Sequence, residues 1–477
     1  MTRARDILSA LLLVVLLAGC GSSRRAATTA TPAPTSTATP VSSATLQPSD
    51  SATSLPSVTV EPSDTPTPTP TATWVPTVTP RPATPTPSIS AELLAGMDAI
   101  GAEVEDLRGL EQSRPMTRTL ITRDELASYL EDEFAQEYPA EEIADDVLVL
   151  AAFDFVARDF DLLQVLLDLY SSEILGLYDD ELDTFYVITS GEFDLRNQLT
   201  YAHEFVHGLQ DQNLGLDDFV DGDVLNDDEL LARLALVEGD ATLAMSEYLL
   251  AHLSEVSEEE LQALVDGESQ DSEEVVNAAP PIIRETFSFP YTYGLDFVSL
   301  LQEEGWQAVD AAYADPPQSS EQILHPEKYL SRDEPEIIAL PPLTDTLGTG
   351  WRLVEADTLG EFQTSLYLAQ QVDQATTDLA SQGWDGDQYA VYARGDGTLL
   401  AFATVWDSAK DREEFVSAYT QYAEAKFSQP ATRSSESEVW WETPSQVAVL
   451  TWRGTMVLAI FGPDSEMVAQ VLAVTRP

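Results

Sequence analysis

The sequence predicts an α+β protein: a mainly helical region that carries a short β-hairpin, followed by a smaller α+β unit. Three patterns lead there. Apolar residues over roughly 91–340 recur mostly at helical spacing, as in Leu195, Leu199, Ala202, Val206 and Leu209. Between helical stretches the period shortens at Ile174–Tyr178 and Thr184–Ile188, which flank the acidic turn 179–183 and read as a hairpin. Beyond about residue 341, alternating runs at Tyr389–Ala393, Leu399–Val405, Val439–Trp441, Val447–Trp452 and Met456–Phe461 surround a helical pattern over Ser408–Phe427.

The chain starts with segments that lie outside any fold. Arg3 and Arg5 precede an apolar run from Ile7 to Ala18, too short for a comfortable membrane span and right for a signal peptide over residues 1–19. Leu17-Ala18-Gly19-Cys20 resembles the bacterial lipobox. That resemblance implies cleavage before Cys20, lipidation of its thiol, and an exported protein held at the extracytoplasmic face of the membrane. Cys20 is the single cysteine, so disulfides within the chain are excluded. Residues 20–90 collapse to Thr, Pro, Ser and Ala, a composition that cannot bury a core and favours an extended, disordered stalk.

Charge narrows the partners. With 82 Asp+Glu against 23 Lys+Arg the net charge is −59, and Lys328, Lys410 and Lys426 are the only lysines. No basic patch exists to neutralise phosphates, which argues against nucleic acid as a partner and against anionic membrane surfaces. Such a chain repels itself when folded, so added salt should screen the repulsion. The melting temperature is expected to rise from low to moderate NaCl, and a flat or falling curve in differential scanning calorimetry would count against this reading.

Taken in order, the folded part opens with Thr122-Arg123-Asp124-Glu125, a capping box starting a helix through Phe134. Helical periodicity continues over Val147–Phe155 and Leu162–Tyr170, then gives way to the hairpin. After the helix around residues 195–209, the stretch Leu214–Glu229 is rich in aspartate. Phe219 stands where an EF-hand needs an oxygen ligand, so it reads as a solvated acidic loop. A second helix follows over Asp228–His252. Phe289–Gly294 then precedes a helical stretch, Leu295–Leu301, and a further helix is expected over Leu359–Gln382. The unit over 341–477 offers no histidine, leaving support or substrate docking as its role. Trp440 and Trp441 could face solvent as a binding patch, though neighbouring residues of a strand face opposite sides and the default is one tryptophan buried.

Chemistry concentrates at His203-Glu204-Phe205-Val206-His207, an H-E-x-x-H pattern inside the amphipathic helix. Histidines four apart lie one turn above the other, so two imidazoles can hold one metal ion. A catalytic metal needs a third protein ligand, and the only other histidines are His252 and His325. A carboxylate is therefore expected, from Glu229, Glu238, Asp240 or Glu247. Glu238 is preferred because Gly239 and Ala241 leave room beside it, and because its helix is otherwise apolar through Leu234, Val237 and Met245.

An H-E-x-x-H helix followed by a glutamate on a later helix resembles the gluzincin clan of zinc metallopeptidases. The resemblance implies a zincin-like domain over 91–340 that binds Zn2+ through His203, His207 and Glu238. Glu204 would be the general base, taking a proton from water that zinc has made more acidic. It also implies an edge strand that pairs with extended substrate, and hydrolysis of peptides or proteins. Members like thermolysin carry an aspartate where this chain has Thr242; Asp240 is the candidate for that histidine-orienting role. Tyr291, in Pro290-Tyr291-Thr292-Tyr293-Gly294, is the first candidate to donate to the tetrahedral oxyanion, with Tyr293 and His325 behind it. The metzincin pattern fails at Gln210 and Asn213, and an aspzincin continuation is missing. A rival reading is a zincin-like lipoprotein without catalysis, acting as a binding or envelope-assembly module. Retention of Glu204 argues against it, because a binding protein needs the ligands but not the base.

Overall fold

The structure is a computed structural model that describes residues 89–173, 176–179, 184–188, 193–220, 225–266 and 270–476. The signal segment, Cys20 and the stalk up to residue 88 lie outside the described residues. The described part belongs to one compact unit of mixed helix and sheet.

Its helical region contains α1 (Ala91–Arg108), α2 (Arg123–Glu137), α3 (Ala140–Ala152), α4 (Leu162–Glu173), α5 (Leu195–Leu214), α6 (Asp227–His252), α7 (Pro281–Gln302) and α8 (Trp306–Ala314). The capping box at Thr122 and Glu125 forms in both directions and starts α2. In α5 the Asp194 side chain accepts from the Asn197 N–H, and Gly215 ends the helix in the left-handed conformation. Asn226 caps α6 in the same way, and Asp227, Asp228 and Glu229 place negative charge on its positive end.

A three-stranded sheet lies against α5. Strands β2 (Gly176–Asp179) and β3 (Thr184–Ile188) pair antiparallel with Tyr178 opposite Phe185, as the hairpin reading expected. On the other side of β3 runs β1 (Thr117–Ile121), parallel, with Leu120 opposite Val187. β1 was not legible: five residues carry too short a pattern, and a parallel partner far along the chain leaves no turn signal. Phe185 and Val187 pack against Tyr201 and Phe205, fixing α5 across the sheet.

α6 and α7 cross with their backbones nearly touching. A methyl group at Gly239 would overlap the carbonyl of Gly294, and one at Gly294 would overlap that of Ala235. The room beside Glu238 is thus used by α7, which brings Tyr291 towards the H-E-x-x-H helix. Gly294→Ala should push the helices apart and lower stability by about 2 kcal/mol, the usual cost of overpacking, measurable by urea unfolding.

Phe289–Gly294 is not an irregular lead into a helix but the middle of α7, with Pro290 inside it. One lost donor did not end the helix because Ile282, Phe287, Phe289, Phe297 and Leu301 are all buried along it.

The C-terminal part is a seven-stranded antiparallel sheet in the order β4-β5-β6-β10-β9-β8-β7, formed by β4 (Arg352–Asp357), β5 (Trp384–Arg394), β6 (Gly397–Trp406), β7 (Arg433–Ser434), β8 (Glu438–Glu442), β9 (Val447–Arg453) and β10 (Met456–Gly462). Helices α9 (Gly360–Ala369), α10 (Gln374–Ser381) and α11 (Ala409–Phe427) contribute to the core on one face, and α12 (Ser465–Thr475) to that on the other. The helix expected over Leu359–Gln382 is two helices, because the Asp373 side chain caps a new start at Gln374. Trp441 lies in one core and Trp440 in the other, so neither is a surface patch: helices or loops cover both faces.

The helical region shares that core. Phe153, at the end of α3, meets Tyr367, Tyr389 and Phe402 edge-on at 5.2, 5.3 and 5.6 Å. Among the described residues no helix is long and apolar enough to cross a membrane.

Candidate metal centre

α5 and α6 bring His203, His207 and Glu238 together in the interior, each at most 1% exposed. His207 Nε2 is 3.0 Å from His203 Nε2, and Glu238 Oε2 is 3.2 Å from the first and 3.5 Å from the second imidazole in chain order. The three side chains converge on one point and could hold a metal ion. Burial lowers the His203 pKa. It also acts against a charged His207, but the Glu238 carboxylate outweighs it and lifts His207 to about 9. Glu238 in turn is held below its ordinary value by the two imidazoles, against its own burial. Of the two imidazoles only His207 is thus favoured in its charged form, and mainly by Glu238, while burial opposes charge at both.

The other carboxylates considered for the third ligand are placed elsewhere. Glu229 pairs with Arg233 at 2.6 Å. Gln302 lies 3.5 Å from Glu247. Asp240 is fully buried but points into a polar network behind the imidazoles.

That network runs from His207 Nδ1 to Gln210 Oε1 at 2.8 Å. Gln210 Nε2 has three acceptors for its two protons, the Val237 carbonyl and Asp240 Oδ2 at 3.0 Å and the Tyr313 hydroxyl at 2.9 Å. Tyr313 donates to Asp240 at 2.9 Å, and Arg108 binds both Asp240 oxygens at 2.5 and 3.0 Å and Asp310 at 2.7 Å. Arg108 is fully buried, with Trp306 stacked 4.5 Å from its guanidinium carbon. Asp240 therefore orients His207 through Gln210 rather than directly. Gln210, Tyr313 and Arg108 were missed in the sequence. Gln210 had a signal, since it lies one turn beyond His207 on the same face; Arg108 and Tyr313 come from distant helices and had none.

Glu204 sits at the edge of the sheet. Its Oε2 accepts the Tyr178 N–H at 3.2 Å, and its buried Oε1 has no partner among the described residues. Burial pushes its carboxyl up to about 8. A Cβ at Gly176 would meet Thr200 Cγ2 at 2.9 Å and Glu204 Cγ at 3.3 Å, so glycine is what lets β2 approach α5 this closely. Tyr178 belongs to an edge strand, and the backbone beside Glu204 is that of the hairpin.

Of the three candidates for the oxyanion donor, Tyr291 stands beside the centre, its ring 6.3 Å from that of His203. Tyr293 packs on Phe289 and Phe362 at 5.0 and 6.0 Å. His325 belongs to a different cluster: its Nε2 is 3.0 Å from Glu361, which holds it away from the donor role considered for it.

The cluster around His325 gathers carboxylates between the helical region and the C-terminal sheet. Asp228 accepts the Ser320 N–H, Glu321 and Asp407 bind Lys328, and Asp387 accepts from Leu359, Gly360 and Trp384. Burial outweighs these bonds and raises Asp228 and Asp387 to about 7 and Glu321 to about 8. Between the ordinary carboxylate pKa, about 4, and these raised values, the folded state binds more protons than the unfolded one. Stability from these groups is complete at about pH 4 and is lost as pH climbs through 7 to 8. His325, raised by its bond to Glu361, acts in the same sense. The melting temperature should therefore fall between pH 5 and pH 8, and Asp387→Asn should flatten that slope in calorimetry.

In comparison with known proteins, residues 350–472 match the family model described as a domain of unknown function, DUF8575. The matched stretch coincides with the C-terminal sheet and its helices, and does not include the centre. No curated protein and no solved structure matches the chain.

Proposed function

We propose that the protein is a zinc-dependent peptidase of gluzincin type, working outside the cytoplasm at the membrane to which Cys20 anchors it. The observation that carries the reading is the buried trio His203, His207 and Glu238, with Glu204 beside it. Two ligand atoms of a tetrahedral zinc site, each about 2.0–2.2 Å from the ion, are roughly 3.3–3.6 Å apart. The separations of 3.0, 3.2 and 3.5 Å among the three donors suit such an ion. Two imidazoles and one carboxylate are also the donor set of a catalytic site, which keeps one position open. When bound, the metal supplies a Lewis acid that polarises a carbonyl and acidifies water.

The chain's own residues account for the rest. Glu204, with one oxygen tied to Tyr178 and the other without a partner among the described residues, accepts the proton of the attacking water and later passes it to the leaving amine. Tyr291 donates to the oxyanion from the side of His203. Gln210 holds His207 by its Nδ1, and Asp240, Arg108 and Tyr313 fix Gln210 in turn. The edge of β2 aligns extended substrate beside Glu204.

Zinc content of the purified full chain, together with digestion of a broad peptide library, tests the proposal. Stoichiometric zinc and cleavage abolished by a chelator are expected; a metal-free chain or a zinc-loaded chain that cleaves nothing would refute it.

A further inference from the structure

The start of α6 is where the helical region is fastened to the C-terminal sheet. The Asp227 N–H donates to Asp357 on β4 at 2.9 Å, and Asp228 accepts the Ser320 N–H at 3.1 Å. Ser320 in turn accepts the Phe362 N–H at 3.2 Å, at the beginning of α9. From the sheet side, Asp387 on β5 accepts the N–H groups of Leu359 and Gly360, each at 2.8 Å. The turn 359–362 is thus gripped from both parts of the molecule, and Asp228, Ser320, Glu361 and Asp387 are at most 3% exposed there. A methyl group at Gly360 would overlap the Asp228 carboxylate, so glycine is what lets α9 meet α6 this closely.

Acid outnumbers base at this joint. Asp387 and Glu361 face Asp228 from β5 and α9. Glu361 faces His325, whose Nε2 is 3.0 Å away, together with Lys328 and Asp407. Lys328 is divided between Glu321 at 2.6 Å and Asp407 at 2.7 Å, with Asp333 at 3.6 Å. Asp357 adds its charge beside Asp387, and Glu327 beside His325. Two oxygens decide what this excess means: Asp228 Oδ1 and Glu361 Oε2 are buried and have no partner among the described residues. A charge left on such an oxygen costs far more than a hydroxyl in the same place. The joint therefore suits these two groups with their protons on.

We propose that the joint is a proton-operated clasp: protons on Asp228 and Glu361 hold the start of α9 against α6, and their loss lets the joint open while the cores on either side stay folded. Burial outweighs the Ser320 bond and raises Asp228 to about 7, and it raises Glu361 against the pull of His325. A group raised in this way stabilises the closed joint fully below its ordinary value, about 4, and loses that contribution as pH climbs through 7. One carboxyl that titrates at about 7 when closed and about 4 when open shifts the balance toward opening by roughly thirtyfold between pH 5.5 and 8.5. The cores beside the joint are apolar, with Leu231, Val237 and Phe289 in one and Phe402, Leu450 and Trp441 in the other. Opening is thus confined to the joint, unlike a loss of stability shared by the whole fold. It frees the first turn of α6, about 15 Å along the helix from Glu238. None of these groups belongs to the metal centre, so the clasp stands apart from the peptidase reading.

Hydrogen exchange of the full chain tests this, followed by mass spectrometry at pH 5.5 and 8.5 with each rate corrected for the intrinsic effect of pH. Residues 226–233 and 357–364 should lose roughly tenfold or more of their protection at the higher pH, whereas residues 400–405 and 457–461 of the sheet should keep theirs. Asp228→Asn with Glu361→Gln keeps an acceptor for Ser320 and for His325 while removing the titration. Its protection at the joint should stay within about threefold between the two pH values. Asp228→Asn alone should shrink the loss by about fivefold or more, and serves as the milder variant should the double one not fold.

Unchanged protection of the joint between the two pH values would overturn the proposal. An equal loss in the sheet strands would overturn it as well, because the effect would then be one of global stability. A folded variant that loses protection at pH 8.5 as the parent does would place the protons on other groups and end the clasp. Loss confined to the joint in the parent and absent from the variant supports it, whether or not the chain binds zinc or cleaves peptides.

Discussion

Glu204→Gln is expected to bind zinc like the parent while peptide hydrolysis falls by roughly a hundredfold to ten-thousandfold, the range supplied by a positioned general base. Glutamine keeps the shape of the side chain and its acceptor oxygen for the Tyr178 N–H, so β2 and α5 should stay in place. What it removes is the proton acceptor. Glu204 does not join the three converging donors, so the metal should remain. Zinc content by atomic absorption and the rate on a peptide identified from the library separate the two functions. Undiminished hydrolysis would remove Glu204 from the mechanism; loss of the metal would make it a ligand.

How much of this could be read in the sequence differs between the two halves of the site. His203, Glu204 and His207 are local: a fixed helical spacing places them, and α5 forms as its apolar stripe required. Glu238 was legible because a carboxylate on an otherwise buried helix needs a cation, and because Gly239 announces a close neighbour. That neighbour, Gly294 on α7, could not be named in advance. The support behind the imidazoles, Arg108–Asp240–Gln210, joins helices far apart in the chain and became visible only with the fold. The strands of the C-terminal sheet were readable from their alternation, but its covering on both faces was not, and Trp440 was therefore expected at the surface or inside with equal reason. Pro290 misled in the opposite way, since a local breaker was overridden by the burial of the helix around it.

Glu238→Ala is expected to weaken zinc binding by more than the roughly 10–100-fold typical of a partner that only orients a ligand. The side chain is fully buried and its Oε2 lies within 3.5 Å of both imidazoles, so its removal leaves two imidazole donors and no carboxylate among the three converging groups. Asp240→Ala serves as the comparison. Asp240 touches Gln210, Tyr313 and Arg108 but no metal-facing atom, so its loss should fall inside that range. It should also cost fold stability, roughly 3–5 kcal/mol, because Arg108 would be left buried opposite only the partly exposed Asp310. The two variants thus separate in opposite directions: Glu238→Ala loses metal with a fold that melts near the parent without metal, and Asp240→Ala keeps most of its affinity in a weakened fold. Competition titration against a chromogenic chelator and calorimetry of the metal-free chains measure the two effects. Parent-like affinity in Glu238→Ala would end the gluzincin assignment, whatever the fate of Asp240→Ala.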